Sequence, residues 1–460
     1  MADPGHASSK AARPSRGRLS IAGVAKTGVL SLSLGLSLAL FGASPAVAAS
    51  LPASPAGAGA DSPRFSAERL QRLDGFLRQA TDARGYLGAV SLVYSDGKTV
   101  QSQAYGYRDL ARSEPMRTDS IFRIYSMTKT ATTVAVLMLM EEGKLNLDDP
   151  VEKFLPEFAG MQVFAGGSAD APQLRPAKHK LTLHQLLTHT AGFATGGAGY
   201  EEATRLLARA DLHGSADLEE FSRRLSRVPL AVEPGTRFSY DGTQLEVLAR
   251  VVEVVSGQRF DAFLQQRLFD PLRMADTGFS VPMDKRGRIV DITVMGADGK
   301  LRLDDGPSAV DPGAMLNPYP SGAGGLYSTA ADFMRLCRML LEGGTLHDGM
   351  RDGVSILGRK TVEQMMVNHL TFLDPPVTQF SDAEGFGLGG SVLLDPARKG
   401  RLGSIGQFGW SGAASTYFSI DPQERMVSIL LLQHLPNGAA NDLPRISTPF
   451  YNLVYQALLR

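Results

Sequence analysis

The chain has 460 residues, of which 43% are hydrophobic and 20% charged, a composition typical of a globular protein with one or two domains. Lys and Arg together number 47, as do Asp and Glu; without residues 1–48 the counts are 42 and 46, so the composition indicates no basic surface for nucleic acid. The single cysteine, Cys337, excludes an intramolecular disulfide, and its helical surroundings predict a buried packing residue.

Residues 1–48 have the pattern of a secretory signal peptide. Basic residues up to Lys26 precede an apolar run at 29–41, and Ala46-Val47-Ala48 provides the small residues at which such peptides are cleaved. The alternative is a membrane anchor, but serines and a glycine interrupt the run, which is also short for a membrane span. We therefore predict a secreted or periplasmic protein with no stable membrane anchor after cleavage. Residues 49–63, rich in Ala, Gly, Pro and Ser, predict a linker.

The first structured elements are predicted to be a helix, a hairpin and a second helix. Ser66 is placed to cap the first helix. Residues 87–95 and 98–107 alternate as strands around an Asp-Gly turn, which is the signature of a hairpin. An apolar helix at 130–140 then ends at Gly143.

Residues 148–317 have a different character, with short helices and loops. Helices are predicted at 181–189, 243–255 and 260–269, with a Gly/Pro-rich interruption at 160–180 and a second hairpin at 289–303.

The C-terminal part returns to alternating helices and strands. Helices are predicted from a Ser328 or Thr329 cap to Leu341, at 360–368 and at the C-terminus, and strands at 386–394, 415–420 and 426–433. Because strands occur at both ends of the chain, we predict an α/β fold with one mostly antiparallel sheet flanked by helices, built from 64–147 and 318–460. Residues 148–317 are predicted to be an inserted helical domain, and a cleft between the domains is the expected substrate site.

Ser126-Met127-Thr128-Lys129 precedes the apolar helix and is a candidate catalytic pair. Residues three apart on a helix share a face, so the hydroxyl of Ser126 in the first turn would lie beside the Lys129 amine. A serine becomes a nucleophile only when a neighbouring base removes its proton, and burial favours an uncharged lysine. The same pattern at Ser95 to Lys98 falls on the hairpin turn, where we expect a structural role.

Two other segments are candidates for the same chemistry. Tyr240 follows a Pro-Gly turn at the start of a helix, where it would relay a proton or simply pack. Trp410-Ser411-Gly412-Ala413 would bring a backbone N–H to a substrate carbonyl, or would be only a Gly-rich turn before the strand at Ser415.

The histidines do not indicate a metal site. His184 and His189 are five residues apart, which is not the spacing of zinc ligands, and we expect His189 to be a structural hydrogen-bonding residue. The sequence also lacks a Gly-x-Ser-x-Gly elbow, a dinucleotide fingerprint and a P-loop.

Five ordered segments resemble the serine β-lactamase-related family, which includes class C β-lactamases, D-amino-acid peptidases and family VIII carboxylesterases. The segments are Ser126-Met127-Thr128-Lys129, Leu183-His184-Gln185-Leu186-Leu187-Thr188-His189-Thr190-Ala191-Gly192, Pro234-Gly235-Thr236-Arg237-Phe238-Ser239-Tyr240, Gly324-Gly325-Leu326-Tyr327-Ser328-Thr329 and Trp410-Ser411-Gly412.

The resemblance implies an acyl-enzyme mechanism without a cofactor or metal. Ser126 would be the acylated nucleophile, Lys129 its proton acceptor and Tyr240 the base that protonates the leaving group and later activates water. The backbone N–H groups of Ser126 and Ala413 would form the oxyanion hole.

Two departures from the β-lactamase pattern bear on the substrate. Gly242 replaces the Asn of Tyr-x-Asn, and Trp410 replaces the usual Lys or His, as in the esterase branch. An indole cannot pair with a carboxylate, which weakens carboxylate substrates by about 2 kcal/mol. Three nearby cations could compensate: Arg398, Lys399 and Arg401.

We therefore expect a serine hydrolase that acts on small-molecule esters with short acyl chains. The substrate would contact Trp410, Ser411, Gly412 and Gly242. The alternatives are a β-lactamase or D-amino-acid peptidase acting on amides of cell-wall type, and a non-catalytic relative that binds cell-wall material.

Overall fold

The computed structural model describes residues 64–82, 85–194, 199–349 and 352–459. The helices are α1 (Ala67–Ala80), α2 (Thr128–Glu141), α3 (Leu183–Leu187), α4 (Glu201–Arg209), α5 (Leu218–Leu225), α6 (Thr243–Ser256), α7 (Phe260–Leu264), α8 (Pro307–Val310), α9 (Ala330–Leu341), α10 (Arg359–Met365), α11 (Pro396–Lys399) and α12 (Ser447–Tyr455). The strands are β1 (Gly88–Ser95), β2 (Lys98–Gly106), β3 (Phe122–Arg123), β4 (Gln162–Ser168), β5 (Ala171–Pro176), β6 (Thr293–Met295), β7 (Leu301–Leu303), β8 (Tyr327–Ser328), β9 (Thr345–Leu346), β10 (Val354–Ser355), β11 (Glu384–Phe386), β12 (Ser391–Leu393), β13 (Phe408–Gly412), β14 (Thr416–Asp421) and β15 (Met426–Leu431).

A seven-stranded antiparallel sheet organises the fold, in the order β11-β12-β13-β14-β15-β1-β2. The early hairpin therefore pairs with the last strands of the chain, as predicted. Every residue of β1 is buried because helices cover both faces of the sheet there. The predicted α/β fold with a mostly antiparallel sheet is confirmed.

Alternation along β1 divides the core into two layers. Ala89 and Val93 face α1 and α12, where Leu77 and Phe450 are fully buried. Val90 and Leu92 and their neighbours face the opposite layer, which includes α2 and α9. The helix α2 lies in this second layer, and its residues from 128 to 139 are all buried. A helix buried on all sides explains why its sequence is apolar without a polar face.

The middle of the chain is mainly helical. Its helix α6 packs against α2. The predicted hairpin at 289–303 is present as β6 and β7. The interruption predicted at 160–180 also contains a hairpin, which the sequence did not predict: β4 pairs with β5 there, with Gly166 and Gly167 at positive φ near its turn.

Two strand predictions near the C-terminus need correction. Residues 386–394 are not one strand: Gly387 donates to Gly390 O at 2.8 Å, and this turn separates β11 from β12. The segment from Trp410 to Gly412 is itself the end of strand β13 rather than a turn leading into a strand. In both places closely spaced glycines made the strand boundaries hard to predict from the sequence.

Residues 63–460 group into one compact unit. The boundaries predicted within it, at 147 and 318, stay a prediction. The predicted signal peptide at 1–48 and linker at 49–63 lie outside the described residues. Among the described helices, none combines the length and apolar character that crossing a bilayer requires.

Candidate active site

Ser126 lies in a short 3-10 turn, Tyr125–Met127, directly before α2. The sequence predicted Ser126 in the first turn of the helix itself, and the structure corrects this. Tyr125 has a φ of 43°, in the left-handed region, so helical backbone cannot extend back beyond Ser126. The half-buried serine therefore sits on a sharp bend rather than on a helix face.

Lys129 places its amine beside this serine. Its Nζ lies 3.0 Å from Ser126 Oγ and donates to the Ala323 carbonyl at 2.7 Å. The side chain is only 2% exposed, and it forms no ion pair with the described residues. The amine is thus held within hydrogen-bonding distance of Ser126 Oγ, where a group that exchanges a proton with the serine must lie.

Tyr240 lies against the same amine. Lys129 Nζ is 5.0 Å from the centre of the Tyr240 ring, and the Tyr240 hydroxyl accepts from Trp410 Nε1 at 2.9 Å. In the described part of the chain, the hydroxyl forms no hydrogen bond with Ser126 or Lys129. The structure thus brings together all three predicted catalytic side chains, with the phenol oxygen directed to the indole.

Backbone pairing between two of the predicted segments delivers Tyr240. Ser239 N donates to His189 O at 2.7 Å, and Gly235 N donates to Thr190 O at 2.8 Å. The segment before α6 therefore runs alongside the end of α3, and Tyr240 emerges where α6 begins. This pairing explains why residues so far apart in the sequence meet at Lys129.

His189 is a packing residue and not the expected hydrogen-bonding one. Its ring is fully buried among aromatic rings, 4.6 Å from Tyr240 and 5.2 Å from Phe386 between centroids, and neither ring nitrogen has a protein partner among the described residues. Burial, together with the charge of Lys129, lowers the pKa of His189 well below its usual value. The neutral His189 ring packs against the ring of Tyr240.

Strand β13 packs against the turn that carries Ser126. A Cβ added at Gly412 would lie 2.3 Å from Ile124 O and from Thr416 Oγ1, so only glycine permits this approach. Ala413 follows in an exposed turn. In the described residues, neither the Ser126 N–H nor the Ala413 N–H has a backbone acceptor, as an oxyanion hole requires.

The remaining predicted substrate contacts differ in their placement. Gly242 is exposed, and a Cβ there would lie 3.4 Å from the Ala323 side chain, so this position borders the site. Ser411 pairs with Tyr417, which packs in the α1 and α12 layer, so alternation along β13 directs its side chain away from Trp410. The structure does not bring the Ser411 side chain to the site.

An aromatic wall next to Tyr240 is a feature that the sequence motifs did not reveal. Trp410 lies 5.1 Å from Phe386 between ring centroids, and Phe380 lies 5.7 Å from Tyr240 and 6.1 Å from Trp410. Phe380 is 56% exposed although it is a large apolar side chain. Its loop carries no recognisable motif, so only the fold shows that it borders the site.

The three cations considered as substitutes for a carboxylate anchor bind other groups. Lys399 pairs with Glu384 at 2.5 Å, and Arg398 lies 3.7 Å from Asp382. Arg401 stacks on Tyr451 of α12, at 4.5 Å from its ring centre. Because these three side chains bind other groups, they do not replace the cation that would bind a substrate carboxylate.

Glu246 is a buried carboxylate near Lys129 that sequence reasoning missed. It is 4% exposed on α6, accepts from Ser321 Oγ, and accepts from Gly322 N at 2.8 Å. Burial raises the pKa of Glu246 to about 7, although these hydrogen bonds and the charge of Lys129 oppose the shift. One signal was available: the acid stands between Leu245 and Val247, inside an apolar helical run.

The described residues contain no cluster of three or more His, Cys, Asp or Glu side chains able to hold a metal ion. His184 and His369 contact each other at 3.0 Å between Nε2 and Nδ1.

Comparison with known proteins agrees with this arrangement. The family model described as Beta-lactamase matches residues 73–447. The chain belongs to the beta-lactamase family. This confirms the resemblance found in the sequence.

Three similar proteins illustrate the range of its relatives. Protein Rv1367c of Mycobacterium tuberculosis is 34% identical over 372 residues, covering 78% of this chain and 89% of that protein. Esterase EstB of Burkholderia gladioli is 31% identical over 412 residues, covering 82% and 94%. The solved structure of EstCE1, a hydrolase with promiscuous acyltransferase activity, has a TM-score of 0.66 at 26% identity and covers 84% of this chain and 98% of its own.

Other relatives in the beta-lactamase family are named as acyltransferases and as a D-alanyl-D-alanine carboxypeptidase. The chain is thus a member of a serine hydrolase family that contains esterases, acyltransferases and peptidases.

Proposed function

We propose that this protein is an esterase that transfers the acyl group of a short-chain carboxylic ester to Ser126 and then to water. The observation that carries the proposal is the Ser126 and Lys129 pair, 3.0 Å apart, beside a wall in which an indole replaces the usual cation. The names of the related esterases support the same class. The proposal includes export, which rests on the pattern of residues 1–48.

Acylation begins when Ser126 Oγ attacks the ester carbonyl carbon and its proton passes to the Lys129 amine. The N–H groups of Ser126 and Ala413 stabilise the oxyanion that forms. The intermediate then collapses, the bond to the alcohol breaks, and Tyr240 delivers a proton to the leaving oxygen. At this point Tyr240 is deprotonated and Lys129 is protonated. In deacylation Tyr240 takes a proton from the attacking water, whose oxygen adds to the acyl carbon. The bond to Ser126 Oγ then breaks, Lys129 returns its proton to Oγ, and the carboxylic acid is released.

The aromatic wall favours esters over β-lactams and peptides. The substrates of β-lactamases and D-amino-acid peptidases carry a carboxylate, and Trp410 offers it no charge-assisted partner. Gly242 likewise lacks the amide that binds an acylamide side chain. Phe380 and the half-buried Trp410 instead present apolar surface, which suits the uncharged groups of an ester, and the fully buried Phe386 packs against the indole.

The test compares the mature protein with Ser126→Ala on p-nitrophenyl acetate, p-nitrophenyl butyrate and nitrocefin. We expect ester hydrolysis that exceeds nitrocefin hydrolysis, and a loss of at least about 10³-fold in the variant. Thermal unfolding should be nearly unchanged, because the side chain is small and half-buried. Substantial hydrolysis by the variant would exclude Ser126 as the nucleophile, and dominant nitrocefin turnover would favour a β-lactamase.

Labelling with a fluorophosphonate separates these enzymes from a non-catalytic binder. Either enzyme is labelled at Ser126 and only there, whereas a binder that has lost turnover stays unlabelled. Intact mass measured on wild type and Ser126→Ala reads the result directly.

A further inference from the structure

Glu246 is a buried acid to which the proposed mechanism gives no role. It lies in the first turns of α6, and its neighbours Leu245, Val247 and Leu248 are all fully buried. A carboxylate in such surroundings costs free energy unless it is hydrogen-bonded, so its partners indicate what it contributes.

Its partners belong to the Gly-rich loop 321–324. The Glu246 carboxylate accepts from Ser321 Oγ and from Gly322 N, and Ser321 Oγ in turn accepts from Gly324 N at 3.2 Å. Glu246 thus binds the start of the loop directly and its end through Ser321.

The same loop binds the lysine. Its Ala323 carbonyl accepts from Lys129 Nζ at 2.7 Å, and its Gly322 carbonyl accepts from Thr132 Oγ1 at 2.7 Å, three residues further along α2. A Cβ on Gly322 would lie 2.7 Å from Leu245 O, so the loop backbone rests directly on α6. The loop therefore joins Glu246 on one helix to Lys129 on the other.

We propose that Glu246 is a positioning residue that holds the Ala323 carbonyl where it fixes the Lys129 amine beside Ser126 Oγ. A lysine side chain has many rotamers, and the bond to Ala323 O selects the one that places Nζ 3.0 Å from the nucleophile. Displacing a reacting group by about 1 Å costs up to about 10²-fold in rate. The inference rests on the proposed function, since it assigns Lys129 the role of base.

The test uses Glu246→Gln and Ser321→Ala in the full chain. Gln keeps the shape of Glu but has one accepting oxygen instead of two, so it cannot accept from both the Ser321 hydroxyl and the Gly322 N–H. The matched control is Glu253→Gln on the same helix, whose carboxylate accepts from Phe260 N and pairs with Arg250, both at 3.1 Å.

We expect Glu246→Gln to lower both kcat on p-nitrophenyl acetate and the rate of fluorophosphonate labelling by at least about tenfold, with KM within about twofold. The control should stay within about twofold of wild type in both quantities. Ser321→Ala should slow labelling as well, and the double variant should be no slower than the slower single variant, because both changes break one connection.

The inference is overturned if Glu246→Gln, folded by circular dichroism, is labelled at the wild-type rate, or if the control slows equally. Should Glu246→Gln fail to fold, Ser321→Ala decides, because it removes a single hydroxyl from the same connection: normal labelling there overturns the inference too. Hydrolysis that survives in Ser126→Ala would instead contradict the proposed function. Failure of the inference about Glu246 can therefore be told apart from failure of the proposed function.

Discussion

Tyr125 occupies a backbone conformation that a bulky residue adopts only at a cost of about 1–2 kcal/mol, immediately before the nucleophile. Burial of its ring raises the pKa of its hydroxyl. The packing that buries this ring also holds the backbone in its left-handed conformation. The left-handed φ ends the helical backbone on the N-terminal side of Ser126, whose N–H has no backbone acceptor among the described residues. Apolar periodicity located the helix, but no sequence pattern reports φ at a tyrosine.

Glu246 should make the stability of the fold depend on pH. Its folded pKa of about 7 exceeds its ordinary value of 4.5, so the folded state holds the proton more tightly. This contribution is fully present below pH 4.5 and is lost as the pH rises through 7. Between pH 5 and pH 8 we expect wild type to lose about 2.5 kcal/mol of unfolding free energy that Glu246→Gln keeps.

Urea unfolding of both proteins at the two pH values measures this difference. Parallel pH profiles for wild type and Glu246→Gln would show that the carboxyl titrates normally in the folded state.

Among the elements, β13 was the least predictable from sequence, although it carries Trp410 and leads to Ala413. Its register opposite β14 depends on partners that the chain reaches only later, and Gly409 and Gly412 made the segment look like a turn. The helices α2, α6 and α9 were predictable because caps and apolar runs are local signals. The contact of Glu246 with the Gly-rich loop was not, since it joins two elements through buried polar groups.

Gly412→Ala tests the approach of β13 to the nucleophile. The new methyl group would overlap Ile124 O and Thr416 Oγ1, so either the strand or the Ser126 turn must move. We expect a loss of about 10²-fold in kcat on p-nitrophenyl acetate, because the N–H of Ala413 leaves its position.

The control is Gly287→Ala, in the exposed 3-10 turn Met283–Arg288, where an added Cβ meets nothing within 4 Å. Its kcat should equal that of wild type. Unchanged activity in Gly412→Ala would argue against Ala413 as an oxyanion donor.

At the scale of the whole molecule, residues near the two ends of the described chain are joined. Phe65 and Leu458 form a bridge, Ser66 N donates to Ala457 O at 2.9 Å, and Leu459 N donates to Arg64 O at 2.9 Å. The helices α1 and α12 then pack together on one face of the sheet. This contact allows the chain to be reconnected without moving the site.

A circular permutant that links Leu459 to Arg64 by a short Gly-Ser linker and opens between Asp298 and Gly299 should fold and hydrolyse esters. The new ends fall in an exposed turn between β6 and β7. We expect its Tm within a few degrees of that of the linear protein and equal labelling at Ser126. Failure to fold would show that the order of synthesis matters to this fold.

Strand β1 pairs with β15, and Val90 lies opposite Leu431. This pairing joins an early segment of the chain to a late one. On the ribosome, β1 emerges long before β15, and these two strands cannot pair until nearly all of the chain has been made. Until then β1 can pair only with β2, and its other edge has no partner strand. A chain built this way completes its folding only near the end of translation, and the export proposed above would require the same schedule.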